Sequence, residues 1–428
     1  MNKITLKGLD EVVYHEKLDN NLNIYVLRKK DYNTFNCYFI TNFGALIDEF
    51  IPINEKEYHK FPKGVAHFLE HKMFEQESGP SVMEKFSKLS GTCNAFTNYE
   101  YTVYYVNGVD NFKENLEFLI DYVQSPYFTL ENVDKEKGII DQERLMTLDN
   151  TTRTLMMKML ENVFNNYEYG KSVVGEKEDI YNITKEDLYR CYNTFYNPSN
   201  MSIIVVSNED EKEVINLIKE NQKKKKFDKQ EEIKIKEVKE DKNINKESDV
   251  IYDNVEKTKV TYNVKIKISD INEDMDNINL ALRILLGSNF SKMSEFNLDL
   301  KRKGIIDNNV TFFFNKYIDY ILITIMSSVN NQDEFISLVD DKFKNLTLSL
   351  EDFNLIKKTI ISNTVYSFTT TEDIMEYLLN EYFDKKEIKG DKFIKLREFT
   401  YDKYIEIINK INFKNKNITI MKPLDERK

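Results

Sequence analysis

The sequence predicts an α/β (α+β) protein made of two similar domains, and three observations carry that reading. A length of 428 residues suits two or three domains with ample core. Strand-like runs alternate with longer helical runs on both sides of the middle. Both halves also close in the same way, with a helix, an Asn-rich turn and a final strand, at Asn197–Val205 and again at Asn415–Ile420. That pattern marks a degenerate duplication.

In the first half, strands are expected at residues 22–27, 36–41, 102–106 and 201–206, the last reading Met-Ser-Ile-Ile-Val-Val. Helices are expected between them at 65–75, 112–125, 154–165 and 185–195. In the second half, strands are expected at 259–268, 320–326 and 417–421, and helices at 276–286, 332–345, 351–367 and 401–409. Between the halves, residues 220–248 hold Lys223–Lys226 and the run Glu231–Asp241, dense in both charge signs and poor in large apolar groups. Such a stretch reads as a solvated linker. The domains are therefore 1–219, a charged linker at 220–248, and 249–428.

Composition excludes several classes of function. A formal charge of −11 argues against non-specific nucleic-acid binding. No run is long and apolar enough to span a membrane, and the start, Met1–Asp10, has no apolar signal core. Cys37, Cys93 and Cys191 are too few and too scattered for a disulfide framework. They fit a reducing, cytoplasmic setting.

The chemistry concentrates in Gly64–Glu75, which holds two of the four histidines. On a helix each residue turns the chain by about 100°, so His67 and His71 lie about 40° apart, with Glu70 about 60° to the other side of His67. Two imidazoles one turn apart can bind one metal ion, and the carboxylate between them can reach a water molecule. This is the H-x-x-E-H arrangement of an inverted zinc peptidase. The flanking Val65, Ala66, Phe68, Leu69, Met73 and Phe74 predict a helix buried on most sides, where unpaired polar groups are costly. A catalytic zinc site takes a third protein ligand. The stretch Asn132–Met146 offers one on a helix whose apolar positions are Val133, Ile139, Ile140, Leu145 and Met146. Its Glu136 and Glu143 are two turns apart on one face, so one can bind the metal while the other supports it. His15 and His59 have no motif around them and read as ordinary surface or packing residues.

The chain resembles the pitrilysin family of inverted zincins, nearest its bacterial half-size YmfH-type members. Five ordered pieces carry the resemblance: Gly64–Phe74, Leu89–Thr97, Thr102–Tyr104, Glu136–Met146 and Cys191–Met201. The resemblance implies that His67, His71 and Glu143 bind one zinc ion, that Glu70 is the general base, and that Glu136 supports the site without touching the metal. It implies that Asn94, Ala95, Phe96 and Thr97 lie on an edge strand where substrate is laid out. It further implies that each domain is a mixed, mainly antiparallel sheet packed against helices, and that the two form half of a clamshell. Cys93 falls at a variable position of the pattern and receives no role. Cobalt or manganese can replace zinc in such a donor set in vitro.

In the family the facing half contributes an arginine and, seven positions later, a tyrosine that hold the substrate carbonyl. Aligning Gly304 with the family glycine puts Leu300 and Asp307 at those positions, with Arg302 two residues out of register. The expectation is a zinc-bearing subunit of a heterodimer whose zinc-less homologous partner supplies the pair, with a homodimer as the alternative if Arg302 or Tyr317 substitutes. The expected activity is endopeptidase cleavage of unfolded peptides. A non-catalytic scaffold on the same fold and a dedicated leader-peptide maturation protease are the other readings.

Overall fold

The computed structural model describes residues 1–228 and 232–427. Residues 229–231 of the expected linker, and Lys428, lie outside the described residues. The chain forms two compact units that are not consecutive in sequence. The first comprises Met1–Met146, Ser172–Glu237 and Val365–Lys392; the second comprises Thr147–Lys171, Val238–Thr364 and Phe393–Lys428.

The first unit contains β1 (Asn2–Leu6), β2 (Glu11–Lys17), β3 (Asn23–Arg28), β4 (Phe35–Thr41), β5 (Glu49–Phe50), β6 (His59–Lys60), β7 (Gly91–Thr97), β8 (Thr102–Gly108) and β9 (Met201–Ser207). Seven of these form one sheet in the order β1-β2-β3-β9-β4-β8-β7, and β5 pairs with β6 alone. Within the large sheet only β3 and β9 run parallel. All seven residues of β9 are buried, as expected for a central strand covered on both faces. One face packs against helices Val65–Met73, Phe112–Val123, Lys185–Phe195 and Glu211–Lys223, around Phe39, Phe68, Leu69, Leu119 and Phe195. The other face is covered by Thr371–Lys385, whose Ile374, Met375, Leu378 and Tyr382 pack on Val13, Leu27, Val103 and Ile204.

The second unit contains β10 (Ser248–Asp253), β11 (Lys259–Lys267), β12 (Thr311–Tyr317), β13 (Tyr320–Ser328) and β14 (Lys416–Pro423), in the order β10-β14-β11-β13-β12. Here β10 and β14 are the parallel pair and the rest is antiparallel. That order and those directions repeat β3-β9-β4-β8-β7 strand for strand. The duplication read from the two chain endings is thus a repeat of a five-strand sheet, to which the first unit adds β1 and β2.

Most described residues of the charged stretch are exposed, as expected of a solvated linker, but parts of it are tied to the rest of the chain. Residues 220–223 finish the helix Glu211–Lys223. Ile235 bridges to Phe50, with Ile51 N–H donating to Lys234 O at 3.0 Å. Further on, the side chains of Glu240 and Lys265 are buried and pair at 2.7 Å. Glu240 also accepts the backbone N–H groups of Asn165, Asn166 and Tyr167, each at 2.8 Å. Pairing of opposite charges that are distant in sequence is invisible in a composition count, which is why these anchoring contacts were not foreseen.

Candidate metal centre

Every residue singled out for the site lies in the first unit. The helix Val65–Met73 starts at Gly64, whose φ is +81°. A side chain there would stand 2.2 Å from Val174 O, so only glycine lets the 63–64 and 174–175 backbones meet. The helix is buried on most sides, as its apolar flanks predict, and its buried residues include His67, Glu70 and Lys72.

The helix Leu130–Leu148 is capped by a reciprocal bond: Thr129 N–H donates to Asn132 Oδ1 and Asn132 N–H to Thr129 Oγ1. It buries Val133, Glu136 and Ile140. The expectation that Ile139, Leu145 and Met146 share its core face is incorrect, since they are 50%, 42% and 73% exposed. The reason is geometric. Residues 133, 136, 140 and 143 make one stripe at helical spacing, so two carboxylates occupy positions that an apolar pattern would fill.

That stripe meets the histidines. His67 Nε2 is 3.5 Å from Glu143 Oε1, and His71 Nε2 is 3.3 Å from Glu143 Oε2. One donor atom from each of His67, His71 and Glu143 lies within 4.8 Å of the others. The donor set fits zinc. Zn–N and Zn–O bonds near 2.1 Å in a tetrahedral site put neighbouring donors about 3.4 Å apart, close to the two distances above. Charge agrees as well. Glu70, Glu136 and Glu143 bring three carboxylates to the cluster beside one buried ammonium, Lys72, a net negative surround that favours a cation.

The remaining contacts separate the roles. Glu136 Oε1 is 3.1 Å from His71 Nδ1, leaving His71 Nε2 directed at Glu143. A carboxylate on the far ring nitrogen fixes the orientation of a ligand imidazole. The other oxygen of Glu136 accepts from Lys72 Nζ at 3.3 Å. Lys72 is wholly buried and also donates to Asn132 O at 3.0 Å. Lys72 escaped the sequence reading; its signal was a single cation inside an apolar helical run, directly after His71. His67 is held differently, its Nδ1 being buried without a hydrogen-bond partner among the described residues.

Burial, which penalises charge, raises the pKa of Glu70 above the usual 4.5 against the pull of His67 and a hydrogen bond from Thr97. Burial also opposes charge on His71, but hydrogen bonds to Glu136 and Glu143 outweigh it and bring the imidazole up to about 9. Hydrogen bonds from His67 and His71 hold Glu143 well below the ordinary carboxylate range. Glu136 is lowered despite burial, through His71 and Lys72.

Among the described residues β7 is the edge of its sheet and pairs with β8 alone. Asn94, Ala95, Phe96 and Thr97 lie on it with alternating exposure, Asn94 and Phe96 open and Ala95 and Thr97 half-buried. Thr97 Oγ1 stands 2.5 Å from Glu70 Oε2. His15 and His59 have partners of their own. His15 sits 3.1 Å from Asn23 Oδ1 and stacks on Tyr25, and His59 is 2.7 Å from Glu55. Cys37, Cys93 and Cys191 are unbridged. Among the described residues no helix is long and apolar enough to cross a membrane.

Known proteins share both the sequence and the fold. The family model described as Insulinase (Peptidase family M16) matches residues 54–177, and that described as Peptidase M16 inactive domain matches residues 182–360. A Bacillus subtilis protein named uncharacterized zinc protease YmfH is 39% identical over 312 residues, 73% of each chain. A putative M16-like peptidase from Alicyclobacillus acidocaldarius superposes with a TM-score of 0.89 at 24% identity, over 96% of this chain and 98% of that one. The periplasmic protease PqqL from Escherichia coli superposes with a TM-score of 0.70 at 19% identity, over 97% of this chain but 48% of that one. The last two are likenesses of fold. Together with the sequence identity over most of its length, they show that the chain belongs to the M16 peptidase family, the insulinase family.

Proposed function

We propose that this chain is a zinc-dependent endopeptidase that hydrolyses unfolded peptides bound as an added strand on β7. The observation that carries the reading is the meeting of His67 Nε2, His71 Nε2 and the Glu143 carboxylate beside buried Glu70. His67, His71 and Glu143 hold the ion, and Glu136 orients His71. A zinc ion held there would supply Lewis acidity to a water molecule and to a peptide carbonyl. Glu70, buried beside the donors and held by Thr97, takes the proton from the attacking water and passes it to the leaving amine nitrogen. The open edge of β7, through the backbone of Asn94, Ala95, Phe96 and Thr97, hydrogen-bonds the peptide main chain. Recognition through backbone favours extended substrates and a broad side-chain preference. The name of the Bacillus subtilis relative supports a zinc peptidase.

The assembly we propose is a heterodimer in which a zinc-less homologue supplies the arginine and tyrosine. Residues 300 and 307, at the positions of that pair, are leucine and aspartate. Neither substitute stands ready for a homodimer. Arg302 pairs with Glu295 of its own helix, and Tyr317 is buried against Phe164 and Tyr169, with ring centres 5.2 and 4.6 Å away. The chain also matches about half of PqqL, consistent with a half-size subunit. We assign it to the cytoplasm, where three unbridged cysteines are at home. A second reading, a non-catalytic scaffold, rests on the match of residues 182–360 to the inactive-domain model. A maturation protease for one leader peptide has the same site and differs in substrate range.

The test is hydrolysis of a mixed library of unstructured peptides by the zinc-loaded protein and by Glu70→Gln. Removing a general base costs about 10²- to 10⁴-fold in rate. The variant should keep one zinc per chain and lose turnover by that factor. Equal turnover in both proteins rules out Glu70 as the base. Zinc binding without turnover, in the presence of the homologous partner, favours the scaffold.

A further inference from the structure

Thr97 was expected to contact the peptide as part of the edge strand, but its hydroxyl faces elsewhere. Side chains alternate along a strand. Thr97 falls in step with Cys93 and Ala95, which pack on the core beneath the His67 helix, and out of step with exposed Asn94 and Phe96. It ends β7 directly opposite Thr102 of β8. Its Oγ1 is 2.5 Å from Glu70 Oε2 and 3.1 Å from Thr102 Oγ1. Fully buried Thr102 donates its hydroxyl hydrogen to Phe43 O at 2.9 Å. A hydroxyl has one hydrogen to give. Thr102 has therefore none for its neighbour, and the hydrogen of Thr97 goes to Glu70 Oε2.

We propose that Thr97 is a positioning residue, holding the Glu70 carboxylate by Oε2 so that Oε1 is presented to the reacting water. The proposal rests on the peptidase reading above. It joins the general base to the last residue of the strand that receives the peptide, so base and substrate backbone share one rigid element. A donor to a carboxylate makes a strong, directional bond, and Thr102 with Phe43 O fixes the donor's own position.

Two substitutions test this. Thr97→Val keeps the β-branched shape and removes the hydrogen, while Thr97→Ser keeps the hydrogen. Loss of a hydrogen bond to a charged group predicts kcat about 10- to 100-fold lower in Thr97→Val. KM and zinc content should be unchanged, and Thr97→Ser should recover most of the rate. A rise in KM at constant kcat makes Thr97 a peptide contact and overturns the proposal. So does equal loss of melting temperature and zinc in both variants, which marks a merely structural residue. Wild-type protein that cleaves nothing even with the zinc-less homologue present defeats the peptidase reading itself. The second measurement decides on Thr97 independently of turnover. Crystal structures of the zinc-loaded proteins should show the Glu70 carboxylate rotated or split in Thr97→Val and ordered in Thr97→Ser. A Glu70 side chain unchanged in Thr97→Val overturns the proposal.

Discussion

His71 joins two carboxylates of the site, touching Glu136 through Nδ1 and Glu143 through Nε2. Without metal, the two carboxylates raise its pKa to about 9 from an ordinary 6.5. Its contribution to folding is then complete below pH 6.5 and is lost as pH rises through 9. Glu136 and Glu143 are shifted below an ordinary 4.5, so their contribution is present above that pH and fades as the solution becomes more acid. Chelator-treated protein should therefore lose melting temperature between pH 6.5 and 9, and His71→Gln should flatten that slope. A slope unchanged by the substitution would place the titration elsewhere. Zinc must displace the His71 proton, so its affinity should rise over the same interval. At this scale the sequence was unusually readable. H-x-x-E-H and two glutamates two turns apart single out candidate donors, because helical spacing converts directly into shared faces; the choice of Glu143 over Glu136 comes from the family resemblance. What it hid were Lys72, the counter-charge that Glu136 needs, and the turn of Thr97 towards Glu70. Both depend on which side chain another element brings alongside.

The helix Val65–Met73 exists where it does because two glycines let backbones touch. Gly64 has φ +81° and Gly175 φ +89°, and a Cβ on Gly175 would lie 2.5 Å from Lys63 O. Gly64→Ala should cost at least about 2 kcal/mol, from the left-handed backbone and the clash with Val174 O together. Chemical denaturation measures that loss, and zinc content should fall with it because His67 is three residues from the displaced backbone. A stability change below about 0.5 kcal/mol contradicts this account of the helix start. Central strands and amphipathic helices were legible from their periodicity, β4, β8, β9, β11 and β13 among them. The helix Leu130–Leu148 was legible as a helix but not in its orientation, because its inward stripe carries Glu136 and Glu143 and leaves Ile139 and Met146 outside. β1, β2, β10 and β12 were missed. They lie at or next to sheet edges, where half-exposed positions weaken the apolar pattern.

Across the whole molecule, each unit takes a helix from the other half of the sequence. Thr151–Val163 belongs with the second unit and Thr371–Lys385 with the first. No local pattern announces such an exchange, since both helices are amphipathic and either sheet offers an apolar face. The duplication itself was legible, because matching chain endings reflect the matching strand orders. The metal site is not duplicated, as all four histidines precede residue 182, where the inactive-domain match begins. If the heterodimer reading holds, the zinc-loaded chain alone should turn over peptide slowly, and adding the zinc-less homologue should raise kcat. A homodimer of this chain with full turnover on its own rules that out. Beneath all of this stands the claim that His67, His71 and Glu143 make one zinc site. Crystals of the zinc-loaded protein, measured on both sides of the zinc absorption edge, test it most directly. One anomalous peak per chain is expected, bonded to His67 Nε2, His71 Nε2 and a Glu143 oxygen, and absent in Glu143→Gln prepared at limiting zinc. No peak there, or a peak that survives the substitution undiminished, would contradict it.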